Sequence, residues 1–145
     1  LLRKTSFNVL CKPALSVRAD KLELELILSN LLKNALEASN EASHPVVIIE
    51  AFPGADQVVV RVENSGKVLS EEDFHRLKTP LLSSKATGLG LGVTIASALA
   101  EANGGQIQFK ARPEGGLIAV VTLLSAASLP ENAFRTPTDI SRKEF

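Results

Sequence analysis

Apolar positions change their period several times along this chain, and each change marks an element. Phe7 and Val9, then Leu15, Val17 and Ala19, alternate with polar neighbours, which predicts extended chain over 7–19. At Asp20 the period lengthens. Leu24, Leu28, Leu31, Ala35 and Ala38 recur at three- and four-residue steps, the core face of a helix running to about Ala42. Asp20 followed by Glu23 is a capping-box variant that starts it. The β-branched run from Val46 to Phe52 reads as a strand, Pro53-Gly54-Ala55-Asp56 as a turn, and Gln57 to Glu63 as the returning strand of a hairpin.

Residues 65–87 have no strong period and carry Gly66, Pro80 and several Ser and Thr, so they read as a long loop with a short helix at Glu71–Leu77. Gly92 to Ala102 is helical and is stopped by Asn103-Gly104-Gly105. Gln106 to Ala111 and Leu117 to Leu124 are strands joined by Pro113-Glu114-Gly115-Gly116, and 125–145 reads as a polar, loosely held tail. Hairpins dominate, so the class is α/β, with a mixed, mostly antiparallel sheet and helices on one face. A Rossmann domain is disfavoured, because its glycine turn follows a strand and here the glycines follow a polar loop.

Composition narrows the field. The 145 residues suit one domain, and 45% hydrophobic content is enough for a core. With 4% aromatics and no Trp or Tyr, that core must be mostly Leu, Val, Ile and Ala. Sixteen basic residues balance sixteen acidic ones, which argues against nucleic acid or anionic lipid as a bulk partner. Cys11 is the single cysteine; it excludes an internal disulfide, fits a reducing compartment and is expected to be a small buried residue. No apolar run is long enough to span a bilayer. The chain lacks Met and opens abruptly at Leu1-Leu2-Arg3-Lys4, so we read it as a piece of a longer protein.

Three places can carry chemistry. In Lys85-Ala86-Thr87-Gly88-Leu89-Gly90-Leu91-Gly92, alternating glycines run into a helix, whose first N–H groups form a seat for phosphate. Asn30 and Asn34 are four apart on one helix face. They are either ordinary surface or interhelix amides or a neutral oxygen for a hard cation, since Mg²⁺ accepts few protein ligands. Asn64, at the end of a strand, either reads a base edge or merely makes a turn with Ser65 and Gly66. His44 and His75 read as solvated surface residues.

Taken together, Asn-Leu-Leu-Lys-Asn-Ala at 30–35, Asn-Ser-Gly at 64–66, Pro80 to Lys85, the Gly-Leu-Gly-Leu-Gly turn and Asn-Gly-Gly at 103–105 occur in an order and spacing that resembles the catalytic, ATP-binding domain of sensor histidine kinases. That domain belongs to the superfamily shared with gyrase, Hsp90 and MutL ATPases. The local flavour is similar to kinases of the nitrogen-regulation and dicarboxylate-sensing type. The resemblance covers about residues 5–125 and implies a two-layer α/β sandwich, the Bergerat fold, with the nucleotide between the long helix and a lid at 67–87. By this resemblance 1–6 are the end of an upstream dimerisation helix or linker, 7–125 the ATP-binding domain and 126–145 a tail. Asn34 matches the Mg²⁺ ligand and Asn30 a contact to the phosphate–metal region. Lys85 matches a lid-end lysine. Gly88, Leu89, Gly90, Leu91 and Gly92 match the phosphate side, and Asn64 and Gly66 the base side.

The resemblance implies a protein-histidine kinase that binds Mg²⁺-ATP and passes the γ-phosphate to a histidine on upstream dimerisation helices, and from there to the receiver domain of a response regulator. The parent would be a homodimer with this domain in the cytoplasm, open to anchoring in the inner membrane. ATP-hydrolysing relatives place Glu at position 30; Asn cannot act as a base at neutral pH, which favours phosphoryl transfer over hydrolysis. The family usually has Asp at position 64, so Asn64 should bind adenine more weakly, by about 1 kcal/mol. Val68, Leu77, Leu81, Glu37, Ala38 and Leu117 also depart from the usual pattern. The phosphate half is better preserved than the adenine half. The alternative is a degenerate, non-catalytic nucleotide-binding or interaction module of the same fold.

Overall fold

A computed structural model describes residues 4–12, 14–78 and 91–128. In chain order the elements are β1 (Ser6–Cys11), α1 (Lys21–Ser39), β2 (Val46–Pro53), β3 (Gln57–Asn64), α2 (Glu71–Lys78), α3 (Leu91–Ala102), β4 (Gln106–Ala111) and β5 (Leu117–Leu124), followed by a 3-10 turn at Ala126–Ser128. The strands form one sheet in the order β1-β2-β3-β5-β4. β1 runs parallel to β2 and the other pairs are antiparallel, so the sheet is mixed and mostly antiparallel as expected.

The alternation of β3 and β5 sets the layers. Val58, Val62, Leu117, Ala119, Val121 and Leu123 are buried on the face toward α1 and α3. Ile27, Leu31 and Ala35 of α1 and Ala96 and Ala100 of α3 complete the core. Leu31 and Ala35 were expected there. Ile27 is fully buried in addition, whereas Leu28 and Ala38 are only half-buried. An ion ladder joins two strands and the β4–β5 hairpin: Arg61 pairs with Glu50 at 2.9 Å and Glu63 at 2.7 Å, and Arg112 with Glu63 at 2.7 Å.

The first segment departs from expectation. Continuous extended chain over 7–19 is interrupted after Cys11. Ala14 has φ 64°, and Val17 makes only an isolated bridge to Ser125. Phe7 and Val9 are 48% and 58% exposed, because β1 is an edge strand that the helices do not cover. Cys11 ends this strand and is exposed, so the expectation of a buried cysteine fails for the same reason. α1 ends at Ser39, three residues earlier than the pattern suggested.

Candidate functional site

One face of α1 organises the site. Asn30, Asn34 and Ala38 lie at successive four-residue steps, so they form a line about 12 Å long. At one end of the line is the start of α3, and at the other is the end of β3.

At the α3 end, Asn30 donates from Nδ2 to the Leu26 carbonyl at 2.9 Å, which pins the amide to its own helix. Its oxygen then faces Gly92. A Cβ on Gly92 would lie 2.8 Å from Asn30 Oδ1, inside contact distance. Any larger residue at 92 would therefore displace the Asn30 amide. Leu91 opens α3 immediately before it. Lys85, Gly88, Leu89 and Gly90 lie outside the described residues.

In the middle, Asn34 is half-buried, and its amide nitrogen is buried without a hydrogen-bond partner among the described residues. Leaving such a group unpaired costs about 1–3 kcal/mol, and buried polar groups are normally satisfied. A half-turn of the amide would exchange nitrogen for oxygen without breaking any bond to that nitrogen. The donor set thus fits one neutral oxygen for a hard cation whose remaining ligands come from phosphate and water. No group of three or more His, Cys, Asp or Glu that could hold a metal exists among the described residues.

At the β3 end, Asn64 is 5% exposed and donates from Nδ2 to the Ser65 carbonyl at 2.9 Å. Only a donor suits that carbonyl, so this bond fixes which end of the Asn64 amide is nitrogen and which is oxygen. Ser65 accepts from the Val46 amide at 2.8 Å and donates toward the His44 carbonyl, fixing the strand end to β2. Gly66 sits beneath α1: a Cβ there would be 3.1 Å from the Ala38 carbonyl oxygen.

The hairpin between β4 and β5 supports this end, a role that the sequence reading did not assign. Gly115 and Gly116 have φ of 107° and 108°. A Cβ on Gly116 would lie 1.9 Å from the Asn64 carbonyl oxygen, and one on Gly115 2.3 Å from that of Gly66. Gly116 N donates to the Lys67 carbonyl at 2.9 Å. Arg112 braces the hairpin, donating to Glu63 at 2.7 Å and to the Gly115 carbonyl at 3.2 Å. The adjacent glycines before a strand were visible as a turn, but nothing in the sequence says which backbone they press against.

Beyond Gly66, the described part of the expected lid includes α2. Ser70 caps it, accepting from Asp73 N at 3.1 Å. The Ser70 hydroxyl holds the half-buried Asp73 carboxyl below its ordinary value, with Lys67 and Arg76 adding smaller effects. Leu69 and Phe74 pack on Val93 and Leu117, joining this segment to α3 and β5. His44 and His75 lie outside the α1 line.

The comparisons with known proteins bear on the family and the fold. The family described as histidine kinase-, DNA gyrase B-, and HSP90-like ATPase matches residues 19–127. The C4-dicarboxylate transport sensor protein DctB of Rhizobium meliloti is 31% identical over 106 residues, 73% of this chain and 17% of its own length. Nitrogen regulation protein NtrY of Azorhizobium caulinodans is 30% identical over 136 residues, 90% of this chain and 17% of its own. The chain therefore spans about a sixth of the length of these relatives. The solved catalytic domain of histidine kinase ThkA superposes with a TM-score of 0.71 at 28% identity, covering 83% of this chain and 78% of that one. The chain belongs to the histidine kinase-, DNA gyrase B-, and HSP90-like ATPase family and has the α/β fold of histidine kinase catalytic domains.

Proposed function

We propose, with family membership as the premise, that this domain binds Mg²⁺-ATP along the α1 line and presents the γ-phosphate to a histidine on dimerisation helices outside this chain. The observation that carries the proposal is the buried Asn34 amide nitrogen, unpartnered among the described residues, midway between the Gly92 contact and the Asn64–Gly66 strand end. Phosphates would lie toward Gly92, where α3 begins and helix-start N–H groups favour anions. The base would lie toward Asn64, whose amide oxygen is the right kind of acceptor for an exocyclic amino group. Asn34 would hold Mg²⁺, which supplies charge neutralisation on the phosphates. Lys85, Gly88, Leu89, Gly90 and Leu91 carry over to the phosphate side by resemblance of sequence alone.

In the transfer, an imidazole nitrogen of the acceptor attacks the γ-phosphorus. The bond to the bridging oxygen breaks, and ADP leaves with that electron pair. The domain's contribution is to position the phosphates. Asn30 cannot take a proton from water at neutral pH, so hydrolysis is not promoted. The phosphorylated histidine would then serve a response-regulator receiver domain, with the parent acting as a homodimer. ATP chemistry of this kind belongs on the cytoplasmic side. No described helix is long and apolar enough to cross a membrane.

Calorimetric titration with ATP, with and without Mg²⁺, tests the site. Mg²⁺ should tighten binding by about tenfold or more, and Asn34→Ala should remove that gain while leaving the melting temperature near the wild-type value. No binding at millimolar nucleotide would defeat the proposal. The neutral Asn64 favours a second reading, a nucleotide-binding module without transfer. Radiolabelled ATP and the upstream helices separate the two: a labelled histidine supports transfer, and binding without labelling supports the module.

A further inference from the structure

We propose that Asn103 is a positioning residue: by clasping the end of α3 to the start of α1, it sets the axial register in which Asn30 meets Gly92. Its effect on the ligand rests on the Mg²⁺-ATP reading above, but its geometry does not. The Asn103 side chain uses both ends. Oδ1 accepts from the Asp20 backbone N–H at 3.0 Å. Nδ2 donates to the Glu23 carboxylate and to the Leu99 carbonyl, the latter at 2.8 Å. The bond to Leu99 fixes the amide to its own helix, so the other two reach across to α1.

Both partners on α1 belong to its first turn. Asp20 is the N-cap and accepts from Glu23 N at 3.0 Å. The clasp therefore grips a rigid part of α1. Asn103 is itself held by the helix stop: Gly104 has φ 75°, and Gly105 N donates to the Ala100 carbonyl at 2.8 Å.

The two helices run antiparallel, with Asn103 beside Asp20 and Gly92 beside Asn30. Ten residues separate Asp20 from Asn30 and eleven separate Gly92 from Asn103, so the arms are about 15 and about 16 Å long. Two nearly equal arms pinned at one end must meet at the other. Between the pins, α3 contributes Ala96 and Ala100 to the core, both at 0% exposure. Methyl groups let helices approach closely but make shallow ridges that resist sliding poorly. A directional polar clasp specifies the register that these alanines leave loose.

The test uses the whole chain carrying Asn103→Ala, Asn103→Asp, and Asn103→Asp combined with Glu23→Gln. The combined variant restores an amide-to-carboxylate bond with donor and acceptor exchanged and keeps an acceptor for Asp20 N, but it still lacks the donor to the Leu99 carbonyl, so the recovery expected of it is partial. Ile107→Val in the sheet serves as a destabilised control. Without nucleotide, ¹⁵N NMR should show the Gly92 amide and Asn30 side-chain signals displaced in Asn103→Ala and Asn103→Asp. They should return toward wild type in the combined variant and stay unmoved in the control. With ATP, the Mg²⁺-dependent gain in affinity should fall about threefold to tenfold in Asn103→Ala and recover in part in the combined variant. Unmoved Gly92 and Asn30 signals in both single variants, or equal movement in the control, would overturn the proposal. If wild-type protein fails to bind Mg²⁺-ATP, the functional reading falls, and the nucleotide-free spectra still decide the register.

Discussion

The two ends of the α1 line are built in opposite ways. At the α3 end, a side chain from one helix meets a glycine on another, and the contact depends on residue spacing along regular helices. At the β3 end, backbone meets backbone: Asn64 and Gly66 carbonyls press on Gly115 and Gly116, with Arg112 as a brace. One end can lose a contact by moving an amide. The other can lose one only by moving the sheet. Ligand chemistry and fold stability are therefore coupled unequally along a single site.

The sharpest break in this contrast is Gly116→Ala. It adds a Cβ 1.9 Å from a backbone oxygen at φ 108°. The expected cost is about 3 kcal/mol or more, read as a fall in melting temperature of about 10 °C. Gly92→Ala should do the reverse. Its Cβ meets the movable Asn30 amide at 2.8 Å, and alanine suits a helix. Melting should stay within a few degrees while ATP affinity drops about tenfold; a large loss of stability would make the two ends alike.

Asn64→Asp is a smaller change. By family resemblance alone a carboxylate should tighten adenine binding. It would also remove the donor to Ser65 and set two oxygens against each other in a site 5% exposed. That loss is about 1 kcal/mol or more, so we expect no gain in ATP affinity by calorimetry, and a fivefold gain would restore the simpler view.

The smallest effect lies at α2. Ser70→Ala should raise the Asp73 carboxyl toward its ordinary value, followed by carboxyl NMR titration. Because the folded value is depressed, this group's contribution is present above the unfolded carboxylate value of 3.8 and is lost as pH falls through the folded one. Ser70→Ala should flatten that acid dependence without changing ATP affinity.

The same contrast explains what could be read in advance. The helix face bearing Asn30 and Asn34, both hairpins and the stop at Asn103 follow from local period and turn chemistry, and each has its place in the fold. Gly92 was visible as part of a glycine run, but its reason, a neighbouring amide sixty residues earlier, was not. Gly115 and Gly116 read as a turn, because their partners at 64 and 66 are joined to them only through the sheet. The strand at β1 was legible in its alternation, but alternation does not say whether a helix covers it, and here none does.

The parallel pairing of β1 with β2 has a mechanical consequence. Ser6 starts β1 opposite Val46, and its amide donates to the Pro45 carbonyl at 2.9 Å. Val46 in turn binds Ser65 through both backbone and side chain. A pull on the chain ahead of Ser6, directed along the strand, loads the whole Ser6–Cys11 ladder in shear instead of opening one bond at a time. The load enters the sheet at Val46, one strand from Asn64. Tension arriving from that side is thus delivered to the Asn64 end of the α1 line before it reaches the Gly92 end.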